Sequence, residues 1–283
     1  MRPEHPDDAT GTIGIIAGGG EVPGRLIEAL RSQGRRFFII ALEGQADPET
    51  IAGLPHLVVR IGAVGTTLDA LRKAGASDIV LAGAVRRPSL TELRPDWTAT
   101  RLIAKMGPKV FAGGDDGLLH ALVTVLEGEG FRVLRADSLL QGLLASSGVL
   151  GSHTPDDDAR ADIARGTEIL QAMGRLDIGQ AVVIQQGLCL GVEAIEGTDA
   201  LLRRVAGHRR DGKGGVLVKL RKPGQDERVD LPTIGVATVE AAAAAGLRGI
   251  AIDAGGTWLV DRPGVIAAAD RLGLFVIGLD IPA

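Results

Sequence analysis

The chain has 283 residues, of which 45% are hydrophobic and 23% charged, and its formal net charge is −4. This composition is ordinary for a globular protein, and the length is sufficient for two modest domains. The acidic balance and an aromatic content of 2% argue against nucleic-acid binding, which uses basic surfaces and stacking aromatic side chains. The single cysteine excludes an internal disulfide, and no apolar run approaches the roughly 20 residues of a membrane span. We therefore expect a cytoplasmic protein.

Residues 1–11 are polar and acidic and are expected to form a disordered lead-in. Residues 12–144 then alternate strands with helices, which predicts a Rossmann-like N-terminal domain with a parallel sheet covered on both faces. Ligands of such sheets bind at the carboxyl ends of the strands. The predicted strands are 12–17, 36–41, 56–60, 78–83 and 131–135, and the predicted helices are 22–33, 66–74, 97–105 and 116–129.

Glycine-rich segments follow several of these predicted strands or open a helix. A glycine turn at a helix N-terminus lets backbone amides approach an anion, and the helix dipole favours its charge. Gly18, Gly19 and Gly20 are therefore predicted to bind a phosphate or a nucleotide, whereas tight packing of strand against helix is the structural alternative. Asp115 is expected to cap a helix, and Asp116 beside it to face a ligand. The segments are 18–20, 83–88 and 113–117.

The first glycine loop fits the fingerprint of a nicotinamide-binding domain only in part. Gly18 and Gly20 have the required spacing, but Pro23 stands where the third glycine should be, and Gly24 comes one place late. Glu43, at the end of the second strand, takes the place of the acid that binds the ribose. An NAD-dependent oxidoreductase stays an alternative, and Pro23 counts against it.

Residues 145–155 are small, polar and glycine-rich, which predicts a linker, and residues 156–283 predict a C-terminal α/β domain with a mixed sheet. Gln186-Gly187 is a plausible hairpin turn between two strands. Thr198 is expected to cap the helix that follows it. The predicted strands are 177–185, 188–193, 216–220, 249–253, 257–260 and 274–279, and a turn at 255–256 separates 249–253 from 257–260. The predicted helices are one that starts at 156 and three that span 199–204, 239–245 and 262–272.

The stretch 217–235 is the most distinctive segment of the chain. It begins as a hydrophobic strand, breaks at Pro223-Gly224, continues through mostly charged residues and closes at Pro232 and Gly235 before an alanine-rich helix. A charged loop that proline and glycine fix between a strand and a helix is a common location for a site. A solvated surface loop is the alternative interpretation.

The residue inventory favours phosphoryl chemistry. The sequence has no Walker A loop, no His-Glu-x-x-His motif and no Cys/His cluster, so classical ATPase and zinc chemistry are not indicated. Carboxylates that hold Mg²⁺ and cations that neutralise phosphate oxygens remain. Lys219, Lys222 and Arg228 are candidates for the second role. Asp226 is the candidate metal ligand or general base.

Two further charged clusters accompany this loop. Glu193, Glu196 and Asp199 gather acidic side chains near a strand end and a helix start. A basic cluster is expected to be a solvated face or to meet anionic lipid headgroups or an acidic substrate. It comprises Arg203, Arg204, His208, Arg209, Arg210 and Lys213.

Several long segments resemble the LpxI family, the UDP-2,3-diacylglucosamine pyrophosphatases of lipid A biosynthesis in Gram-negative bacteria. The resemblance implies two α/β domains with the active site in the cleft between them, and a homodimer. It also implies Mg²⁺-dependent hydrolysis of UDP-2,3-diacylglucosamine to UMP and 2,3-diacylglucosamine 1-phosphate (lipid X). The matching segments are 15–23, 83–88, 114–119, 177–183, 192–199, 222–226, 230–235 and 245–255.

Joining this resemblance to the residue chemistry assigns a site. Asp226 is the expected essential carboxylate, Lys219 and Lys222 steady the diphosphate, and Glu193 and Asp199 are further metal contacts. The acyl chains need an apolar slot in the second domain, and the protein is expected to touch the inner-membrane surface transiently. A sensor that binds nucleotides or lipids without turnover stays an alternative. Substrate contacts are predicted at Gly18, Gly19, Gly20, Arg86, Asp116, Gln225, Arg228 and Thr233.

Overall fold

The computed structural model describes residues 11–86, 93–106, 114–140, 142–228 and 231–281. The chain divides into two compact units, Met1–Gln141 and Gly142–Ala283, and both mix helices with a sheet. The predicted fold class, two α/β domains with a parallel and then a mixed sheet, is confirmed. Almost all of the predicted lead-in lies outside the described residues. No helix among these residues is long and apolar enough to cross a membrane.

The first unit is a five-stranded parallel sheet in the order β3-β2-β1-β4-β5. Every residue of β1 is buried, because this apolar strand lies at the centre of a sheet covered on both faces. The strand order reverses between β1 and β4, so their adjoining carboxyl ends form the usual ligand position of such sheets. The strands are β1 (Thr12–Ala17), β2 (Phe37–Leu42), β3 (His56–Val59), β4 (Ala76–Ala82) and β5 (Arg132–Leu134), and the helices are α1 (Glu21–Ser32), α2 (Pro48–Ile51), α3 (Val64–Lys73), α4 (Trp97–Met106) and α5 (Gly114–Gly128).

The second unit is a six-stranded mixed sheet in the order β6-β13-β11-β9-β7-β8, with a two-stranded sheet of β10 and β12 beside it. Three helices cover one face with a large aliphatic cluster, and α6 covers part of the other. The strands are β6 (Gly148–Val149), β7 (Ala181–Gln185), β8 (Leu188–Val192), β9 (Val216–Lys219), β10 (Thr233–Ile234), β11 (Gly249–Asp253), β12 (Trp258–Leu259) and β13 (Phe275–Leu279), and the helices are α6 (Asp157–Gly174), α7 (Thr198–Val205), α8 (Val236–Ala244) and α9 (Arg262–Leu272).

The predicted hairpin between β7 and β8 is confirmed. The strands pair antiparallel, and Gln186 and Gly187 both have positive φ, as a two-residue hairpin turn requires. The buried carboxylate of Asp162 accepts the amide hydrogens of both residues, at 3.2 Å and 2.7 Å. The turn is therefore fixed by its own backbone geometry and by helix α6.

The structure differs from the sequence prediction at two places in this unit, the expected linker and the start of helix α7. Part of the expected linker is strand β6, which pairs with β13, and Ala145 is buried and bonded to the Thr257 carbonyl. The two strands predicted around the turn at 255–256 are present as β11 and β12, and β12 pairs with β10. Helix α7 begins at Thr198 with Gly197 as its N-cap, and the Thr198 hydroxyl donates to Glu193 rather than capping the helix.

Helix α6 is joined to the amino-terminal edge of the sheet by ion pairs around its N-cap, Asp156. The Asp156 carboxylate accepts the Ala159 amide hydrogen and pairs with Lys213 at 2.8 Å and with Arg248 at 2.9 Å. These contacts, led by the Lys213 hydrogen bond, lower the pKa of Asp156 to about 2. Two members of the predicted basic cluster therefore form ion pairs within the protein: Lys213 with Asp156, and Arg204 with Glu196.

We expect the contribution of Asp156 to stability to depend on pH. Its folded pKa lies below the unfolded value of about 3.9, so the stabilisation is fully present above that value and is lost as the pH falls toward 2. Thermal unfolding of wild type and Asp156→Asn from pH 7 to pH 2 measures this: the Tm difference should shrink below pH 4. Asp157→Asn is the matched control, and an equal pH trend in that variant would contradict the assignment.

Candidate active site

The carboxyl-terminal ends of the parallel strands in the second unit share one edge of the sheet. Strands β9, β11 and β13 are parallel, and β8 runs the same way because it pairs antiparallel with β7, which pairs antiparallel with β9. Lys219 ends β9, Asp253 ends β11, and Glu193 follows β8. The charged loop that begins at residue 220 therefore leaves the sheet at the edge where α/β proteins bind ligands.

Lys219 and Lys222 are both held by protein acceptors at this edge. Lys219 is only 7% exposed, and its Nζ donates to the Thr233 carbonyl at 2.9 Å. Lys222 is 9% exposed, and its Nζ pairs with Asp177, in the loop before β7. Asp177 adopts a positive φ, and its second carboxylate oxygen is buried without a hydrogen bond from the described residues. The ammonium groups of Lys219, at the end of β9, and of Lys222, in the loop, are thus both fixed by protein acceptors.

Asp226 and Arg228 form a local pair within the loop. The Arg228 guanidinium donates to both carboxylate oxygens, Nε to Oδ1 at 2.9 Å and Nη2 to Oδ2 at 2.7 Å, and the Arg228 amide adds a third contact. Gln225, which is buried, closes the turn by accepting the Lys222 amide hydrogen at 3.1 Å. Arg228 therefore orients the Asp226 carboxylate, and Gln225 shapes the turn that presents it.

Glu193 and Asp199, which were predicted as metal ligands, lie in different surroundings. Glu193 is buried, and it accepts the Gln180 amide hydrogen at 3.1 Å and the Thr198 hydroxyl hydrogen at 2.9 Å, so it joins β8 to α7 and the loop before β7. Asp199 is exposed in the first turn of α7. Within the described residues, no three His, Cys, Asp or Glu side chains form a group that could hold a metal. Glu193, Asp199 and Asp226 thus do not make a preformed metal cage.

Two residues that the sequence analysis passed over meet at the same edge. Asp253 is 1% exposed, and its Oδ2 lies 2.9 Å from Nε of Arg221, which also pairs with Glu227. Burial raises the pKa of Asp253, and the positive charge of Arg221 opposes this rise. The available sequence signal was an acidic residue directly after the apolar strand 249–252, but its partner becomes visible only when β9 and β11 are adjacent.

The two glycine segments of the first unit meet at the point where its strand order reverses. Gly19 and Ala84 exchange backbone hydrogen bonds of 2.8 Å and 2.9 Å between the loops after β1 and β4. The Gly18 amide donates to the Ala82 carbonyl, and the Gly20 amide donates to the Asp47 carboxylate at 3.0 Å. All three amides expected to bind phosphate therefore have internal acceptors, and a substrate contact of this loop stays a prediction.

The remaining predicted contacts are placed only in part. Arg86 is exposed just after this junction, and its amide donates to the Gln45 side chain at 3.0 Å. Asp116 lies in α5, outside the part of the chain whose side chains the structure describes. Thr233 lies in β10, where its carbonyl holds Lys219 and its hydroxyl donates to the Leu231 carbonyl at 3.2 Å.

Comparison with solved structures gives only distant similarity. The chain matches the precorrin-6A reductase CobK with a TM-score of 0.33 and 17% identity, covering 97% of this chain and 89% of that one. It matches a UDP-glucose 4-epimerase of Thermus thermophilus in complex with NAD with a TM-score of 0.32 and 15% identity, covering 96% and 86%.

Comparison with families and curated proteins is far more specific. The family model of the LpxI N-terminal domain matches residues 12–143, and that of the LpxI C-terminal domain matches residues 146–277. The UDP-2,3-diacylglucosamine pyrophosphatase LpxI of Caulobacter vibrioides is 43% identical over 276 residues, which cover 95% of this chain and 97% of that protein. On these three matches, which agree with the segments recognised in the sequence, the chain belongs to the LpxI family.

Proposed function

We propose that the protein hydrolyses the diphosphate of UDP-2,3-diacylglucosamine and releases UMP and 2,3-diacylglucosamine 1-phosphate (lipid X), a step of lipid A biosynthesis. The observation that carries this proposal is the 43% identity to a pyrophosphatase of that specificity along nearly the whole chain. The loop at the carboxyl edge of the second sheet supports it, because it places a carboxylate, two arginines and two lysines together.

The reaction needs an activated water and compensation of phosphate charge. In our proposal, Asp226 accepts a proton from the water as its oxygen forms a bond to phosphorus, and the bond from phosphorus to the bridging oxygen breaks. Arg228 keeps the carboxylate of Asp226 oriented toward that water. Lys219 and Lys222, whose ammonium groups are fixed by protein acceptors, contribute positive potential that stabilises charge on the phosphate oxygens and on the leaving group.

Magnesium is the metal that we propose for this site. Mg²⁺ is often held by one or two protein carboxylates together with substrate phosphates and water, so the lack of a three-residue group among the described residues is compatible with it. The donor chemistry of Asp226 fits such a role. When bound, the ion neutralises negative charge on the phosphate oxygens. Glu193 and Asp199 are the further ligands that we propose, and Glu193 also accepts hydrogen bonds from Gln180 and Thr198.

A groove in the second unit, lined half by apolar and half by polar side chains, is the place that we propose for the acyl chains of this substrate. Its cavity volume is about 480 Å³, and it lies between α6 and the carboxyl-terminal end of β13. Ile163, Ile277, Leu279 and Ile281 supply the apolar lining. We further propose, from the family resemblance, that the enzyme acts as a homodimer and meets the inner face of the inner membrane to collect its substrate.

The deciding experiment measures UMP release from UDP-2,3-diacylglucosamine by the purified protein, first with Mg²⁺ and then with EDTA. We expect release with Mg²⁺, and its abolition by EDTA and restoration by added Mg²⁺. Activity that persists in EDTA would overturn the metal assignment alone. Binding of the substrate without release of UMP would overturn the hydrolase proposal in favour of a sensor.

A further inference from the structure

Arg221 belongs to the charged loop at this edge but has no step assigned to it in the proposed reaction. It lies two residues after the end of β9, between Lys219 and Lys222 in the chain, at the carboxyl edge of the second sheet. Its side chain is 26% exposed, so the guanidinium is neither buried in the core nor freely solvated. A guanidinium presents a planar fork of donors that matches the oxygens of a phosphate.

The buried side of this guanidinium is held by Asp253. Nε of Arg221 lies 2.9 Å from Oδ2 of Asp253, and neither oxygen of that carboxylate accepts a well-aligned hydrogen bond from the described residues. The Asp253 amide donates to the hydroxyl of buried Thr257 at 3.2 Å, which fixes the end of the strand. Arg221 is therefore the principal compensation for a buried negative charge, and its Nε side is kept in place.

The packing around this ion pair requires glycine. A Cβ at Gly256 would lie 2.2 Å from Oδ2 of Asp253 and 3.0 Å from Cδ of Arg221. Both the carboxylate and the arginine stem thus pass closely over the turn after β11. The pair is held by shape as well as by charge.

The other contact of the guanidinium is of a different kind. A terminal nitrogen of Arg221 pairs with Glu227, whose side chain is 39% exposed and which follows Asp226 directly. Ion pairs at this level of exposure contribute little, because solvent screens them. The diphosphate of the substrate carries two negative charges against the one of a carboxylate, so it competes well for the same donors.

We propose that Arg221 binds the diphosphate of the substrate, that Asp253 holds its guanidinium from the buried side as a positioning residue, and that Glu227 occupies the guanidinium until the substrate displaces it. This inference rests on the proposed function for its choice of ligand. Arg221 then contributes directly to binding, whereas Asp253 acts only through Arg221. Glu227 is a built-in competitor of the substrate.

The test is calorimetric titration of the full chain with UDP at a fixed Mg²⁺ concentration, for wild type, Arg221→Lys, Asp253→Asn and Glu227→Gln. We expect Arg221→Lys to raise the Kd about 10–100-fold, because a bidentate charged contact is lost. Asp253→Asn should raise it several-fold. Glu227→Gln should lower the Kd, because the competitor is removed, and a purely structural role for the cluster does not produce that change.

Thermal unfolding and steady-state kinetics of the same variants complete the design. We expect the KM for the lipid substrate to rise in Asp253→Asn more than kcat falls. Glu227→Gln alters a half-exposed side chain, so it tests the proposal even if Arg221→Lys does not fold. Unchanged UDP affinity in both Asp253→Asn and Glu227→Gln, or no UDP binding by wild type, would overturn the inference.

The failure of this inference and that of the proposed function are distinguishable. Wild type that releases UMP, with variants that bind UDP as wild type does, would refute the role of Arg221 and leave the hydrolase function intact. Wild type that releases no UMP, with UDP affinities that change as expected, would refute the hydrolase function and support a diphosphate site at Arg221.

Discussion

Replacement of Asp226 by asparagine should lower kcat/KM for UDP-2,3-diacylglucosamine by about 10²–10⁴-fold, the usual range for loss of a general acid–base group. Asparagine preserves the shape of the side chain and can still accept a hydrogen bond from Arg228, so the loop should keep its conformation. What it loses is the negative charge and the ability to take a proton. The measurement is UMP release under saturating and limiting substrate, with unfolding by urea to verify the fold.

Asp158→Asn is the matched control for this substitution. Asp158 also pairs with a basic residue, Lys213 at 3.1 Å, but it lies in the first turn of α6, at the amino-terminal edge of the sheet. It should leave kcat/KM unchanged. Near-normal turnover by a folded Asp226→Asn variant would refute the catalytic assignment, and an equal loss in both variants would point to a general effect of charge.

Replacement of Gly83 by alanine should destabilise the first unit by about 2–5 kcal/mol, from backbone strain and overpacking together. Gly83 has a φ of 92°, which side-chain-bearing residues rarely adopt. An added Cβ would lie 2.5 Å from the Gly19 carbonyl oxygen and 2.8 Å from Cγ of Pro23. The clash falls on the bridge between Gly19 and Ala84 that ties the loops after β1 and β4 together. The midpoint of urea unfolding measures the loss.

Gly24→Ala is the control for the glycine prediction. Gly24 lies inside α1, and an added Cβ would meet only Cγ2 of Thr50 at 3.7 Å, an ordinary contact. Alanine is favoured over glycine in a helix interior, so this variant should gain about 0.5–1 kcal/mol. Opposite signs in the two variants would show that the backbone geometry at Gly83 decides its identity, whereas equal effects would contradict that account.

Local pattern in the sequence was sufficient to predict most of the helices and strands and the fold class. The apolar run at 12–17 and the alternation of strands and helices after it predicted the parallel sheet, because strand burial on both faces demands such runs. Gln186-Gly187 predicted the hairpin, because the geometry of a two-residue turn is a property of those residues themselves. The long segments shared with the LpxI family were also readable from the sequence, since they need no knowledge of spatial neighbours.

The side-chain partnerships in the candidate site could not be predicted in this way. Asp253 ends β11 and Arg221 lies in the loop after β9, so they meet only because β11 lies beside β9 in the sheet. Glu193 is a residue type that binds metals, yet the hydrogen bonds that it accepts from Gln180 and Thr198, which connect β8 to neighbouring segments, could not be read from the sequence. The Gly18–Gly20 loop has the composition of an anion site, but its amides are taken up within the unit.

The sequence by itself determined most of the helices and strands of this protein, its division into two α/β parts and the family to which it belongs. Hydrophobic periodicity, turn residues and contiguous motifs are all encoded within a few neighbouring positions. The tertiary structure alone decided which carboxylate faces which cation, because the order of strands in the sheet brings together residues that are distant along the chain. The charge of Asp226 is paired with Arg228 two positions away, whereas Asp253 finds Arg221 only through the folded sheet.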